Sequence, residues 1–270
     1  GRPEGREEKD LSVAPIYQWL VSHGYGKDLT NHKLKLLENL RFESGEESAD
    51  LDYAKELANM GDFYPAKQGK LVYVNEAFAA HHKAASTTIL PTLLPHAIGL
   101  RFDMEVKKLT QVRENPKHPF VVIIGGVKIE DKLPAIEALS KIADAILVGG
   151  KIASSMVAPA GNVLVGKLNS SGSDLAPETV ESWEKIIETS QMIVWNGPLG
   201  QVENHQNDES YKIAQMIIKS KAESIIGGGD TLAYLHKLGL LGQFSFVSTG
   251  GGAMLEFLST GTLPTIEALA

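Results

Sequence analysis

One unit recurs along this chain and limits what it can fold into: an apolar run, a turn of two or three glycines, then a helix pattern. It is plainest at residues 225–231 (IIGGGDT), which lead into the apolar stretch LAYLHKLGLL. Residues 246–253 (FVSTGGGA) repeat it with Gly250, Gly251 and Gly252. Residues 121–132 (VVIIGGVKIEDK) put Gly125 and Gly126 ahead of Lys128 and Lys132, and residues 192–200 (MIVWNGPLG) end an apolar run in Asn196, Gly197 and Pro198. Apolar strands alternating with helices predict a parallel sheet covered on both faces. Such a sheet brings the carboxyl ends of its strands to one edge, where ligands bind.

The glycine-rich units suit an anion, and the rigid Asn196–Gly197–Pro198 turn can cradle a nucleoside. Glycines turn tightly and leave their amides bare, and a helix N-terminus favours negative charge. Asp230, following Gly227, Gly228 and Gly229, would repel a phosphate directly; it makes sense with a divalent cation between the two. The plainer reading makes Asp230 a helix cap. Lys128 and Lys132 would share one face if a helix starts near them, and two cations beside a glycine pair suit a polyphosphate. The alternative is a solvated helix face.

Composition narrows the classes. The chain has 270 residues, 43% hydrophobic and 22% charged, enough for one large domain or two small ones. Its net charge of −7 argues against general nucleic-acid binding. With no cysteine there are no disulfides and no thiolate chemistry, which fits a cytoplasmic setting. No apolar run reaches membrane-spanning length and no signal peptide is evident. The first residue is Gly1, as expected of a processed chain or part of a longer one.

In chain order, residues 12–23 predict an amphipathic helix with Val13, Ile16, Tyr17, Leu20 and Val21 on its apolar face. Residues 34–37 predict a short strand, and Arg41 follows its end, a suitable place to meet an anion or form a surface salt bridge. Residues 52–60 predict a helix and 71–74 a strand. Adjacent His81 and His82 do not share a helix face, which argues against a metal pair. A helix over 102–112 and a polar loop over 113–119 predict a domain boundary, and six strand–helix units follow it. No P-loop GxxxxGK[ST] and no dinucleotide GxGxxG occurs, since GGGDTL and GGGAML lack the third glycine.

Taken in order, GGVKIEDK, WNGPLG with Glu203, GGGDT and STGGGA resemble the nucleotide domain of phosphoglycerate kinases. Upstream, LLENLRFESGEE, VNEAFAAHHKAAST and Gly1-Arg2-Pro3 resemble that family's other domain. The resemblance implies an α/β fold of two domains, each a Rossmann-like parallel sheet covered by helices, the second better preserved. It implies an acid-substrate domain over 1–112, ending in an interdomain helix, and a nucleotide domain over 113–270. The implied reaction is direct phosphoryl transfer between 1,3-bisphosphoglycerate and Mg2+-ADP, giving 3-phosphoglycerate and ATP in glycolysis, by a monomer whose two domains close by hinge bending.

The resemblance also implies roles. Lys128 and Lys132, with Gly125 and Gly126, match residues at the nucleotide phosphates and transferring group; Gly250, Gly251 and Gly252 match the loop facing the moving phosphoryl. Asp230 matches the magnesium-linked acid, with Thr231 and Gly227, Gly228 and Gly229 beside it. Asn196, Pro198, Glu203 and Gly149 match residues holding the nucleotide. Arg2, Arg41, His82 and Lys83 match basic residues at the acid substrate. Several features depart from the family. Its earliest strand, with an aspartate–asparagine pair and a catalytic arginine, lies upstream of Gly1. Lys83 replaces an arginine and loses the bidentate fork. Lys151 replaces a glycine near the base, PAKQGKL (65–71) resembles an insertion, and 28–34 and 151–191 are shortened. These departures leave open a nucleotide-binding relative that does not turn over.

Overall fold

The computed structural model describes residues 3, 5–60, 71–130, 132–156, 161–200, 202 and 209–270. Arg2, Glu203 and residues 65–70 of the insertion lie outside the described residues. The chain packs as two compact units, Gly1–Phe102 with Leu263–Ala270, and Asp103–Thr262. The second unit thus begins within a helix, ahead of the 113–119 loop.

In the first unit, α1 (Ala14–Leu20) carries Pro15 in its opening turn, where a missing N–H costs nothing. It runs through a π-helical turn, relieved at Gly24 with φ of 94°, into α2 (Gly26–Thr30). Next come α3 (Ser44–Glu47), α4 (Leu51–Met60) and β1 (Tyr73–Asn75). A second π-helical turn (Ala85–Ile89) leads to α5 (Leu90–Leu93) and β2 (His96–Ile98), which pairs with β1 in parallel. Phe78 and Phe102 meet edge to face at 5.8 Å in a small core with Ala54 and Leu57.

Here two expectations fail and one segment went unread. Residues 34–37 pair with no strand; among the described residues this unit's sheet has two strands only. Among the described residues nothing covers the apolar face of α1, and Ile16, Tyr17 and Val21 are about half exposed. A two-stranded sheet offers too little apolar surface to bury it. The helical turns and β2 between residues 85 and 98 escaped the pattern reading, because two prolines and short elements leave no sustained period.

The second unit follows its expected order. After α6 (Leu100–Glu114) come β3 (Phe120–Ile124), α7 (Leu133–Leu139), β4 (Ala145–Val148), α8 (Ile152–Ser155), β5 (Val163–Val165) and α9 (Pro177–Glu188). Then come β6 (Met192–Asn196), α10 (Glu209–Ser220), β7 (Glu223–Gly227), α11 (Gly229–Lys237), β8 (Phe246–Val247) and α12 (Gly251–Thr260). The short α13 (Pro264–Glu267) belongs to the first unit. The strands run β5-β4-β3-β6-β7-β8 and every pair is parallel. β3 and β6 are buried along their whole length, as central strands of a doubly covered sheet must be. Val121, Ile123, Ile193 and Trp195 pack on one face with Trp183 of α9 and Ile213 and Ile217 of α10. The intervening β3 residues Phe120, Val122 and Ile124 take the other face, where α7 and α12 pack on each other.

At the opposite end of the strands, Glu223 receives Lys108 and Lys117, each at 2.7 Å. These bonds, Lys108's first, hold its carboxyl below the ordinary glutamate range. A depressed carboxylate pKa stabilises the fold above the unfolded pKa and loses that contribution as pH falls. Glu223→Gln is therefore expected to lower stability by about 1 kcal/mol at neutral pH. The gap from the parent should narrow below pH ~4, where the unfolded carboxylate also protonates; urea unfolding across pH reads it.

At the carboxyl edge, backbone meets backbone. A Cβ on Gly125 would collide with the Pro198 carbonyl, and one on Gly251 would stand within 2.5 Å of Gly228 Cα. Gly229 has open space around its Cβ position. Gly125→Ala is expected to cost about 1–3 kcal/mol through overpacking. Gly229→Ala should leave the urea midpoint in place; equal losses for the two would show that the close approach at Gly125 does not matter.

Candidate functional site at the strand ends

The register places Val148, Ile124, Asn196 and Gly227 level across four neighbouring strands. The glycine loops that follow therefore meet along one edge. Gly125 N–H donates to the Asn196 carbonyl and Gly126 N–H to that of Pro198, each at 2.9 Å. Gly197 turns with φ of 91° and Gly228 with φ of 99°, in the left-handed region where a side chain is strained. Gly150 packs against Gly126 and Pro198, and Gly149 beneath Leu199.

Within this edge the Asn196 side chain is 1% exposed. Its Oδ1 accepts from Lys132 Nζ at 2.8 Å, and its Nδ2 donates to the Gly251 carbonyl at 2.9 Å. Lys132 is half-buried and stands just before α7. Lys128 lies in the preceding loop and is exposed, so the two lysines do not share a helix face. The reason is local: Pro134 sits in the first turn of α7 and fixes where that helix starts.

Asp230 is exposed in the first turn of α11, and Gly228 is the residue that caps this helix, without a side-chain bond. The helix-cap reading of Asp230 therefore falls. Thr231 is buried beside it, and its hydroxyl has no hydrogen-bond partner among the described residues. Gly250, at the N-cap of α12, opens a second helix at the same edge, followed by Gly251 and Gly252. The loop before it is tied to α6: Glu105 Oε1 accepts from Thr249 N at 2.7 Å and Oγ1 at 2.9 Å. Sequence reading passed over Glu105, which its place in a mixed-charge helix concealed. No group of three or more histidine or acidic residues able to hold a metal occurs among the described residues. A lone exposed carboxylate suits a cation that arrives with a phosphate ligand.

In the first unit the described basic candidates fall on two separate segments, at Arg41 and at His82 and Lys83. Arg41 sits in a 3-10 turn capped by Asn39 and pairs with Glu47 at 3.3 Å. Its carbonyl accepts from Gly5 N, which brings the loop after Pro3 alongside. Buried Glu46 accepts from Ser86 N and Oγ, tying α3 to the turn after His82 and Lys83, both exposed. The His81 and His82 rings come within 4.0 Å because that segment is not helical. An open cavity of about 630 Å3 next to Arg41 is lined by Glu7, Glu38, Glu43 and Glu56 with Arg6, which is an acidic surround.

A profile of the phosphoglycerate kinase family matches residues 8–172 and 158–261. A phosphoglycerate kinase from Pseudothermotoga lettingae is 31% identical over 341 aligned positions, covering 100% of this chain and 84% of the relative. One from Leptospira biflexa is 32% identical over 339, covering 100% and 83%. Aligned lengths beyond the chain's 270 residues mean that the relatives carry stretches without counterpart here. The phosphoglycerate kinase of Coxiella burnetii superposes with a TM-score of 0.72 at 29% identity, covering 100% of this chain and 84% of that one. That of Pyrococcus horikoshii has a TM-score of 0.76 at 21% identity over the same shares, a likeness of fold alone. The family profile spans most of the chain, the relatives align along all of it, and the glycine edge is built by the motifs in their family order: this chain belongs to the phosphoglycerate kinase family.

Proposed function

We propose that this chain transfers a phosphoryl group directly between 1,3-bisphosphoglycerate and Mg2+-ADP, giving 3-phosphoglycerate and ATP. The observation that carries the reading is the carboxyl edge of the second sheet, where four glycine-bearing strand ends meet around half-buried Lys132. In the transfer, a β-phosphate oxygen of ADP bonds to the phosphorus of the acyl phosphate, the acyl oxygen–phosphorus bond breaks, and the carboxylate leaves. Bond making and breaking balance without a covalent enzyme intermediate. The protein has to place two anions in line, neutralise the moving charge and exclude water.

The second unit takes the nucleotide. Lys132 and Lys128 offset charge on its phosphates and on the moving group. Amides of Gly228 and Gly229 and of the Gly250–Gly251–Gly252 loop face the phosphate oxygens, while Gly125, Gly126 and Gly227 let the main chain come close to them. Asn196 and Pro198 shape the turn under the nucleotide, Gly149 leaves room for the base, and Glu203 takes the ribose hydroxyls. Asp230, with the Thr231 hydroxyl beside it, would hold a magnesium ion that arrives with the nucleotide, and the ion would supply charge neutralisation at the phosphates. The first unit holds the acid substrate through Arg2, Arg41, His82 and Lys83. The setting is cytoplasmic and the enzyme monomeric.

A second reading is supported by the acidic cavity beside Arg41 and by the engagement of Arg41 with Glu47. On it the chain binds nucleotide without turning over. A coupled assay with ATP, magnesium and 3-phosphoglycerate, reading product reduction by glyceraldehyde-3-phosphate dehydrogenase, separates the two. Turnover is expected; its absence with Mg2+-ADP binding intact by calorimetry establishes the second reading. Asp230→Ala is expected to weaken ADP binding about tenfold or more with magnesium and little with EDTA. Equal weakening in both removes Asp230 from the metal.

A further inference from the structure

Lys151 is exposed at the carboxyl edge, and its ammonium has no partner among the described residues. The chain beneath it is fixed. Gly149 N–H donates to the Ile124 carbonyl at 2.9 Å, Gly150 N–H to that of Leu199 at 3.0 Å, and Ile152 N–H to that of Gly126 at 3.1 Å. Gly150 turns with φ of 67°, and a Cβ there would meet main chain of Gly126 and Pro198 within 2.9 Å. Ile152, next along the chain, is fully buried. Lys151 is thus rooted firmly between β3 and β4 while its ammonium stays open to solvent. Its place along the edge says which part of a nucleotide it meets. The strand order puts β4 three strands from β7, across β3 and β6. Three spacings of about 4.8 Å set Lys151 about 14 Å from the loop that carries Asp230. Lys132, bonded to Asn196 at the end of β6, lies between the two. A nucleotide whose metal-bearing phosphates sit at Asp230 therefore runs along the edge past Lys132, and its base arrives at β4.

We propose that Lys151 reads the nucleobase and tilts the site toward guanine nucleoside diphosphates. The inference rests on the nucleotide reading of this edge. An ammonium only donates, so it needs an acceptor on the ligand. N7 offers one on either purine. Beside it guanine presents a second acceptor, O6, where adenine presents its N6 amino group, a donor. One lysine can join N7 and O6 of guanine, whereas on adenine it meets a donor next to N7. No carboxylate among the described residues engages Lys151, although acidic residues outnumber basic ones in the chain by 33 to 26. Mg2+-ADP still binds through its phosphates; the lysine adds discrimination at the far end of the same site.

The test is calorimetry of Mg2+-GDP and Mg2+-ADP on the full chain, parent against Lys151→Met, which keeps the stem and removes the charge. The variant is expected to bind GDP about tenfold more weakly and ADP less than about twofold more weakly. Lys151→Arg, whose fork also reaches N7 and O6, is expected to keep the parent's ratio of the two affinities. Equal losses for GDP and ADP on Lys151→Met would overturn the proposal, since Lys151 would then act on the phosphates that both share. No loss for either would overturn it too, because the lysine would then be a solvated surface residue. In both cases ADP binding by the parent leaves the nucleotide reading standing. If the parent binds neither nucleotide, that reading falls and the proposal with it. Lys151 is exposed, so both variants are expected to unfold at the parent's urea midpoint.

Discussion

At the carboxyl edge of the larger sheet, main chain is packed against main chain. Gly125 lies against Pro198, Gly197 against Gly125, and Gly251 against Gly228, each too close for a side chain. These approaches let four loops from separate strand–helix units converge on one Asn–Lys pair. They depend on the parallel order of the strands, which sends every glycine turn to the same side. An antiparallel neighbour would have sent its loop to the far end.

Charge is distributed in keeping with that geometry. The chain is acidic overall, at −7, and Arg41 itself is paired with Glu47. A phosphate site in such a background needs cations held in place, since a mobile lysine is screened and spends entropy on binding. Lys132 is held by a hydrogen bond to the Asn196 carboxamide. Lys128 is exposed, on a loop, and free of the helix that sequence spacing suggested. Two lysines alike on paper thus differ in how firmly the fold directs them.

The first unit is the sparer of the two. Its parallel sheet has two strands among the described residues, and it leaves apolar side chains of α1 open to solvent. Relatives align over more positions than this chain has residues. The unit's buried contacts include Glu46 with Ser86, which fastens α3 to the segment after His82 and Lys83, and Phe78 with Phe102.

Much was legible beforehand for a plain reason. Period and punctuation are local properties, so the alternation of strand and helix, the glycine turns and the family resemblance could be read residue by residue. The strands of the second unit lie within a few residues of their expected places. What depends on a neighbour was not legible. Among the described residues, 34–37 have strand character but no strand to pair with, and nothing covers the apolar face of α1. Lys128 and Lys132 were separated by a helix start set at Pro134. The sequence by itself determined the order of the units and the chemistry offered at each turn, because backbone preference and hydrophobic period are written within a dozen residues. Only the tertiary structure decided that Asn196 holds Lys132 and Gly251 together, because that hydrogen-bonded contact spans 64 and 55 residues of chain and exists only once the parallel strands align.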